Sequence, residues 1–165
     1  MPAGQAWQKT GRALQPAAER LAMLELAVAG APRFSIDARE LRRAGPSYTV
    51  ESLLELHAER PGARWWLVIG QDQYARLDTW HRWRELPGLA GIAVAARAGE
   101  AVRPAPLLIG CPHELRVLAL PALPHSATAV RERVAAGLPV TALVGAPVAR
   151  YIARHHLYRG DRAVA

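Results

Sequence analysis

Apolar residues recur along this chain with two alternating periods. Leu21, Leu24 and Val28 stand at i, i+3 and i+7 between Pro16 and Gly30, which predicts a helix opened by the proline, stopped by the glycine and laid over a sheet. Residues 33–37 read as a short strand, followed by a charged turn punctuated by Gly45 and Pro46. Thr49 is expected to cap a second helix whose apolar face carries Val50, Leu53, Leu54 and His57. Residues 65–70 form an unbroken apolar run with aromatic and β-branched side chains, the pattern of a strand buried on both faces. Residues 91–95 and 115–120 repeat the strand pattern, and 128–136 and 148–155 read as helices. Such alternation predicts an α/β, doubly wound sheet with ligands beyond the carboxyl ends of its strands.

A chain of 165 residues, 51% hydrophobic, buries one core and reads as a single domain over 1–165. The formal charge of +7 suits anionic partners. Arg39, Arg42, Arg43, Arg131, Arg133, Arg150 and Arg154 are dispersed, so a folded basic surface is expected rather than a nucleic-acid-binding arm. Cys111 stands alone, which excludes an internal disulfide, and no Cys/His set has zinc spacing; a reducing cytosol fits. No apolar leader core opens the chain, and no uninterrupted apolar stretch approaches membrane-spanning length.

Three short segments carry chemistry. A Gly-Pro turn delivers Ser47, Tyr48 and Thr49 to a helix start, where hydroxyls and free N–H groups receive a carboxylate or phosphate. The run ending Ile69-Gly70-Gln71-Asp72 lets a ligand approach Gly70 closely and offers Asp72 to ribose hydroxyls; Trp80 and His81 follow, the indole a flat face for an aromatic base. In the third, Ser126 and Thr128 open a helix with Arg131 in its first turns, a cradle for phosphate. Locally, each also reads as ordinary capping and core packing.

In this order the segments resemble the bacterial nicotinate-nucleotide adenylyltransferases. The similarity runs from the PAGQAWQK loop (residues 2–9) through ERLAMLELA (19–27), DARELRRAGPSYTVESL (37–53), VIGQDQYARLDTWHRW (68–83) and HSATAVR (125–131) to YIARHHLYR (151–159). It implies a Rossmann-like nucleotidyltransferase fold and transfer of AMP from ATP to nicotinate mononucleotide, giving deamido-NAD and pyrophosphate with Mg²⁺ assistance. It implies that the nicotinate ring stacks on Trp80 and that Thr49 and backbone amides around His81 hold the carboxylate. By the same resemblance Gly70 and Asp72 contact ribose, Lys9 meets the mononucleotide phosphate, and Ser126, Thr128 and Arg131 hold the ATP phosphates. Gln8 and His125 depart from the histidine and isoleucine usual at those places.

The family's GxFDPxHxGH-like motif is absent, so no catalytic residue is assigned. His57, His81, His113, His125, His155 and His156 lack its spacing and read as surface, core or C-cap histidines. By the resemblance, the chain lacks the central first strand of the sheet and most of the second. Unpaired edges and an uncovered apolar face are then expected. Met1 reads as an internal methionine taken as a start. The competing reading is a non-catalytic remnant that binds a mononucleotide or partner. A small nucleic-acid-binding domain would leave the SYT and TW segments without a role.

Overall fold

The apolar runs form a three-stranded parallel sheet in the order β1 (Trp66–Gly70), β2 (Gly91–Arg97), β3 (Leu115–Leu120). The computed structural model describes residues 1–4, 15–97, 99, 101–121 and 126–159. Its helices are α1 (Ala17–Val28), α2 (Arg39–Arg42), α3 (Thr49–Glu59), α4 (Gln71–Tyr74), α5 (Leu86–Leu89), α6 (Ala127–Ala135) and α7 (Thr141–Arg154). The chain divides into two compact units: Met1–Pro46 with Pro124–Ala165, and Ser47–Leu123.

The second unit is built around β2, which pairs on both sides. In this parallel register Leu67 faces Ile92 and Ile69 faces Val94, and strand alternation puts these four on one face. Val50 and Leu53 of α3 and Leu86 of α5 share a core cluster with Ile69, Ile92 and Val94, so the helices cover that face. His57 ties α3 to α5 through a 2.7 Å hydrogen bond to the Leu89 carbonyl. A side chain on Gly91 would meet the Trp66 ring at 2.8 Å, so only glycine lets that ring lie across the start of β2. The expectation that β1 is buried on both faces is corrected. Val68 is 61% exposed although Ile69 beside it is buried, and β3 is exposed along its whole length. Within this sheet β1 and β3 each pair with β2 alone, and the helices of this unit pack over one face.

The loop leading to β3 folds back over the end of β1. The Gln71 side chain donates to the Arg103 carbonyl at 2.9 Å and accepts from the Arg103 N–H at 3.2 Å. Tyr74, almost wholly buried, shares a 2.7 Å hydrogen bond with His113 Nε2, while His113 Nδ1 lies 2.7 Å from the Cys111 carbonyl. A carbonyl only accepts, so Nδ1 carries the proton; in the neutral ring Nε2 is then the acceptor and the Tyr74 hydroxyl donates to it.

In the first unit, α1 packs on α7 through Met23 and Leu26, which join a cluster with Val148, Ile152 and Leu157. Leu24, expected on the packed face, is exposed. Gly145 breaks α7 at φ 77°, ψ 159°, and Pro147 lies in the first turn of the segment beyond, so the expected helix over 148–155 corresponds to that second segment. The strand expected at 33–37 does not form. Phe34 is 71% exposed, and Asp37 accepts instead from the Arg39 N–H at 2.9 Å and the Arg39 Nε at 2.7 Å. Burial alone would raise the Asp37 carboxyl, but those Arg39 contacts outweigh it and hold the group below its usual value. The Arg20 guanidinium donates to the carbonyls of Ala3 at 2.5 Å, Gly4 at 3.3 Å and Gln15 at 3.2 Å.

Tyr74→Phe is expected to lower stability at neutral pH by about 0.5–1.5 kcal/mol, the net worth of one hydrogen bond. Burial raises the Tyr74 hydroxyl above its usual value of 10.0, so the folded chain holds that proton more tightly than the unfolded one. Its stabilising contribution is complete below pH 10.0 and is lost as pH climbs through the raised value. Denaturant melts of both forms from neutral to alkaline pH check this: the phenylalanine form is expected to lose less stability at the alkaline end.

Candidate functional site

The chain begins α3 one residue earlier than capping by Thr49 would require. Tyr48, at φ −113° and ψ 135°, takes the cap position without a capping bond from its own side chain, and Thr49 is the first helical residue. First-turn N–H groups have no acceptor within a helix, so the head of α3 is a partly positive surface. Over it lies the His81 ring, stacked on Tyr48 with centroids 4.1 Å apart and planes inclined by 30°. Trp80 ends the 3₁₀ turn Leu77–Thr79; both it and Tyr48 pack on the core cluster of this unit. The Trp80 indole N–H is buried without a hydrogen-bond partner, as is that of Trp65, which packs on the same cluster.

A clamp fixes the turn that follows. Arg82 stands in the left-handed region at φ 51°, and its Nε and Nη2 donate to the two Glu85 carboxylate oxygens at 2.7 and 2.6 Å. The Arg82 hydrogen bond chiefly holds the Glu85 carboxyl below its usual value; partial burial opposes it, and the Arg82 and His81 charges add to it. Gly70 ends β1, and Asp72 follows in the first turn of α4, exposed and not used as a cap. A side chain on Gly70 would meet nothing within 4 Å, so the space over this strand end is open.

The second group of candidates lies in the first unit. Ser126 caps α6, its hydroxyl accepting from the Ala129 N–H at 3.0 Å, and Thr128 Oγ1 accepts from Arg131 Nη2 at 3.0 Å. The three side chains thus sit together at an exposed helix start, where N–H groups, hydroxyls and a permanent cation can converge on an anion. Capping and anion reception coexist here, because the Ser126 hydroxyl keeps a proton to donate after accepting from Ala129.

Thr49, Gly70, Asp72, Trp80 and His81 therefore belong to one unit and Ser126, Thr128 and Arg131 to the other. Lys9 and His125 lie outside the described residues. His57 and His113 are engaged in the hydrogen bonds given above, and His155 stacks on Tyr151 at 4.0 Å and lies 3.7 Å from Glu19. Among the described residues no group of three His, Cys, Asp or Glu could hold a metal ion, and no helix is long and apolar enough to cross a membrane. The Tyr48–His81 stack and the Arg82–Glu85 clamp were not anticipated as such. An i, i+3 Arg–Glu pair beside a TW motif was the available signal.

Comparison with known proteins gives concordant results. Residues 1–133 match the cytidylyltransferase-like family. A probable nicotinate-nucleotide adenylyltransferase of Methylibium petroleiphilum is 45% identical over 98% of this chain and 78% of its own length. One from Albidiferax ferrireducens is 48% identical over 96% of this chain and 81% of its own length. Among solved structures, nicotinic acid mononucleotide adenylyltransferase of Plasmodium falciparum, complexed with NaAD, superposes with a TM-score of 0.69. It covers 91% of this chain and 78% of its own, at 13% identity, which establishes the Rossmann-like nucleotidyltransferase fold.

The Ser126 cap yields a stability prediction. Ser126→Ala is expected to cost about 1 kcal/mol, whereas Ser126→Asn, which keeps an acceptor at the cap, should cost much less. Thermal unfolding of the two variants beside the unaltered chain checks it.

Proposed function

The chain belongs to the nicotinate-nucleotide adenylyltransferases, and from that premise we propose that it transfers the adenylyl group of ATP to the phosphate of nicotinate mononucleotide, releasing deamido-NAD and pyrophosphate. The observation that carries this reading is the aromatic surface at the head of α3. There His81 stacks on Tyr48, Trp80 precedes His81 in the chain, and Tyr48 stands at the cap of a helix whose start is partly positive. A planar ring bearing a carboxylate suits both features at once. Trp80 stacks on the ring, and the Thr49 hydroxyl and the backbone amides around His81 hold the carboxylate. Gly70 gives the ribose room to approach, and Asp72 accepts from its hydroxyls. Lys9 neutralises the mononucleotide phosphate, while Ser126, Thr128 and Arg131 hold the ATP phosphates.

The reaction needs no covalent enzyme intermediate. An oxygen of the mononucleotide phosphate attacks the α-phosphorus of ATP, a P–O bond forms, and the bond to the departing pyrophosphate breaks. What a protein contributes to such a displacement is alignment of the two substrates and neutralisation of the charge they bring together. Arg131 is suited to the second task, since its guanidinium stays charged and is already oriented by Thr128.

ATP-dependent transfer in this family uses a divalent metal, and we propose Mg²⁺. Since the described residues form no donor cluster, no resident site for it is assigned. Mg²⁺ characteristically keeps water and substrate phosphate oxygens as ligands, so it arrives as the ATP complex. The lone Cys111 supports the cytosol as the compartment. The family match over residues 1–133 takes in parts of both units, which supports reading 1–165 as one nucleotidyltransferase domain.

Trp80→Ala is expected to weaken nicotinate mononucleotide binding by about 1–3 kcal/mol, the worth of one ring stacked on an aromatic side chain. Calorimetry with that ligand measures it, and an unchanged affinity would remove Trp80 from the site. Pyrophosphate release on adding ATP and nicotinate mononucleotide tests the reaction itself.

A further inference from the structure

A cavity of about 300 Å³ opens beside the start of α6, and its lining joins chemically unlike groups. Ser126 and Arg131 contribute its polar edge, Met23, Val144 and Ile152 its apolar wall, and Tyr158 borders the same space. The chain goes to some length to place that tyrosine. His156 and Tyr158 both adopt left-handed backbone, at φ 53° and 60°, a conformation that side-chain-bearing residues keep only where their surroundings dictate it. Between them Leu157 is buried in the α1–α7 cluster, and its N–H donates to the Ile152 carbonyl at 3.0 Å. The turn is thus anchored from below, and its anchor holds Tyr158 at the cavity.

The charges around the phenol are Arg131 of α6 and Arg20 and Glu19 of α1. Burial raises the Tyr158 hydroxyl, and although the two arginines pull the other way the net direction is upward, so it keeps its proton at neutral pH. A protonated phenol donates, and phosphate oxygens accept. None of the side chains lining the cavity is acidic, whereas Arg131 supplies a cation already oriented by Thr128.

We propose that the Tyr158 hydroxyl is a further ligand of the phosphate site, donating to an ATP phosphate oxygen held there together with Ser126 and Arg131. The inference rests on the reading that Ser126, Thr128 and Arg131 receive the ATP phosphates. It assigns a binding role to a residue near the far end of the chain from the rest of the cradle's sequence motif.

The test uses the 165-residue chain and calorimetric titration with ATP, inorganic tripolyphosphate and nicotinate mononucleotide. Tyr158→Phe keeps the ring and removes the hydroxyl. Expected is an approximately tenfold weaker affinity for ATP and for tripolyphosphate, as for one hydrogen bond to a charged group, with nicotinate mononucleotide affinity and melting temperature unchanged. Arg131→Ala is measured alongside. If it weakens tripolyphosphate binding and Tyr158→Phe does not, the inference is overturned and the phosphate-site reading stands. If neither variant alters binding, or the unaltered chain binds no tripolyphosphate, that reading fails and the inference with it. A Tyr158→Phe chain that melts lower and loses affinity for all three ligands alike would show a packing role only, which also overturns the proposal.

Discussion

Ile92 and Val94 have no exposed surface, and the remainder of the second unit follows from how that is achieved. The strand that carries them is paired on both sides, and α3 and α5 share its core cluster. A slip of one residue would turn both side chains to the opposite face, so the register is fixed by burial rather than by any turn. That register sets where β1 ends, and therefore where Gly70 and Asp72 emerge. Through α5 it also sets the stretch from Leu77 to Glu85, which brings His81 over Tyr48. The aromatic surface at the head of α3 is in this sense a by-product of two shielded aliphatic side chains.

The sequence revealed most where the physics was local or strongly periodic. Residues 115–120 were legible as a strand from their apolar content and were found with those bounds, and α6 was displaced by a single residue. Burial was less legible than strand identity. The run at 65–70 has the composition of a strand covered on both sides, yet coverage depends on neighbours, and composition does not count neighbours. Residues 33–37 went the other way: a local Asp37–Arg39 bond competed with pairing and no ladder formed. For α1, the i, i+3, i+7 pattern named Leu24 as packed. Met23 and Leu26 occupy the contact instead, because the position of α7 selects the face.

The candidate site was legible as residue types in a fixed order, and much less so as geometry. Ser126 and Thr128 announce a helix start, and the start is there, with the Ser126 hydroxyl accepting from the Ala129 N–H and that of Thr128 from Arg131. Thr49 was misplaced by one position because Tyr48, an unusual capping residue, holds the cap conformation without a side-chain capping bond. The stack of His81 on Tyr48 joins residues more than thirty positions apart, and nothing in either local sequence signals the other. Left-handed backbone at Arg82, His156 and Tyr158 was equally invisible, since each of these residues is ordinarily unremarkable outside that region of conformational space.

Arg20 has a consequence for how this chain tolerates substitution. One guanidinium gathers carbonyls from Ala3 and Gly4 on one side of residues 5–14 and from Gln15 on the other. A lysine at this position would keep the charge but not the planar fork that meets separate carbonyls simultaneously. The arginine acts as a clasp: replacing it releases three carbonyls at once.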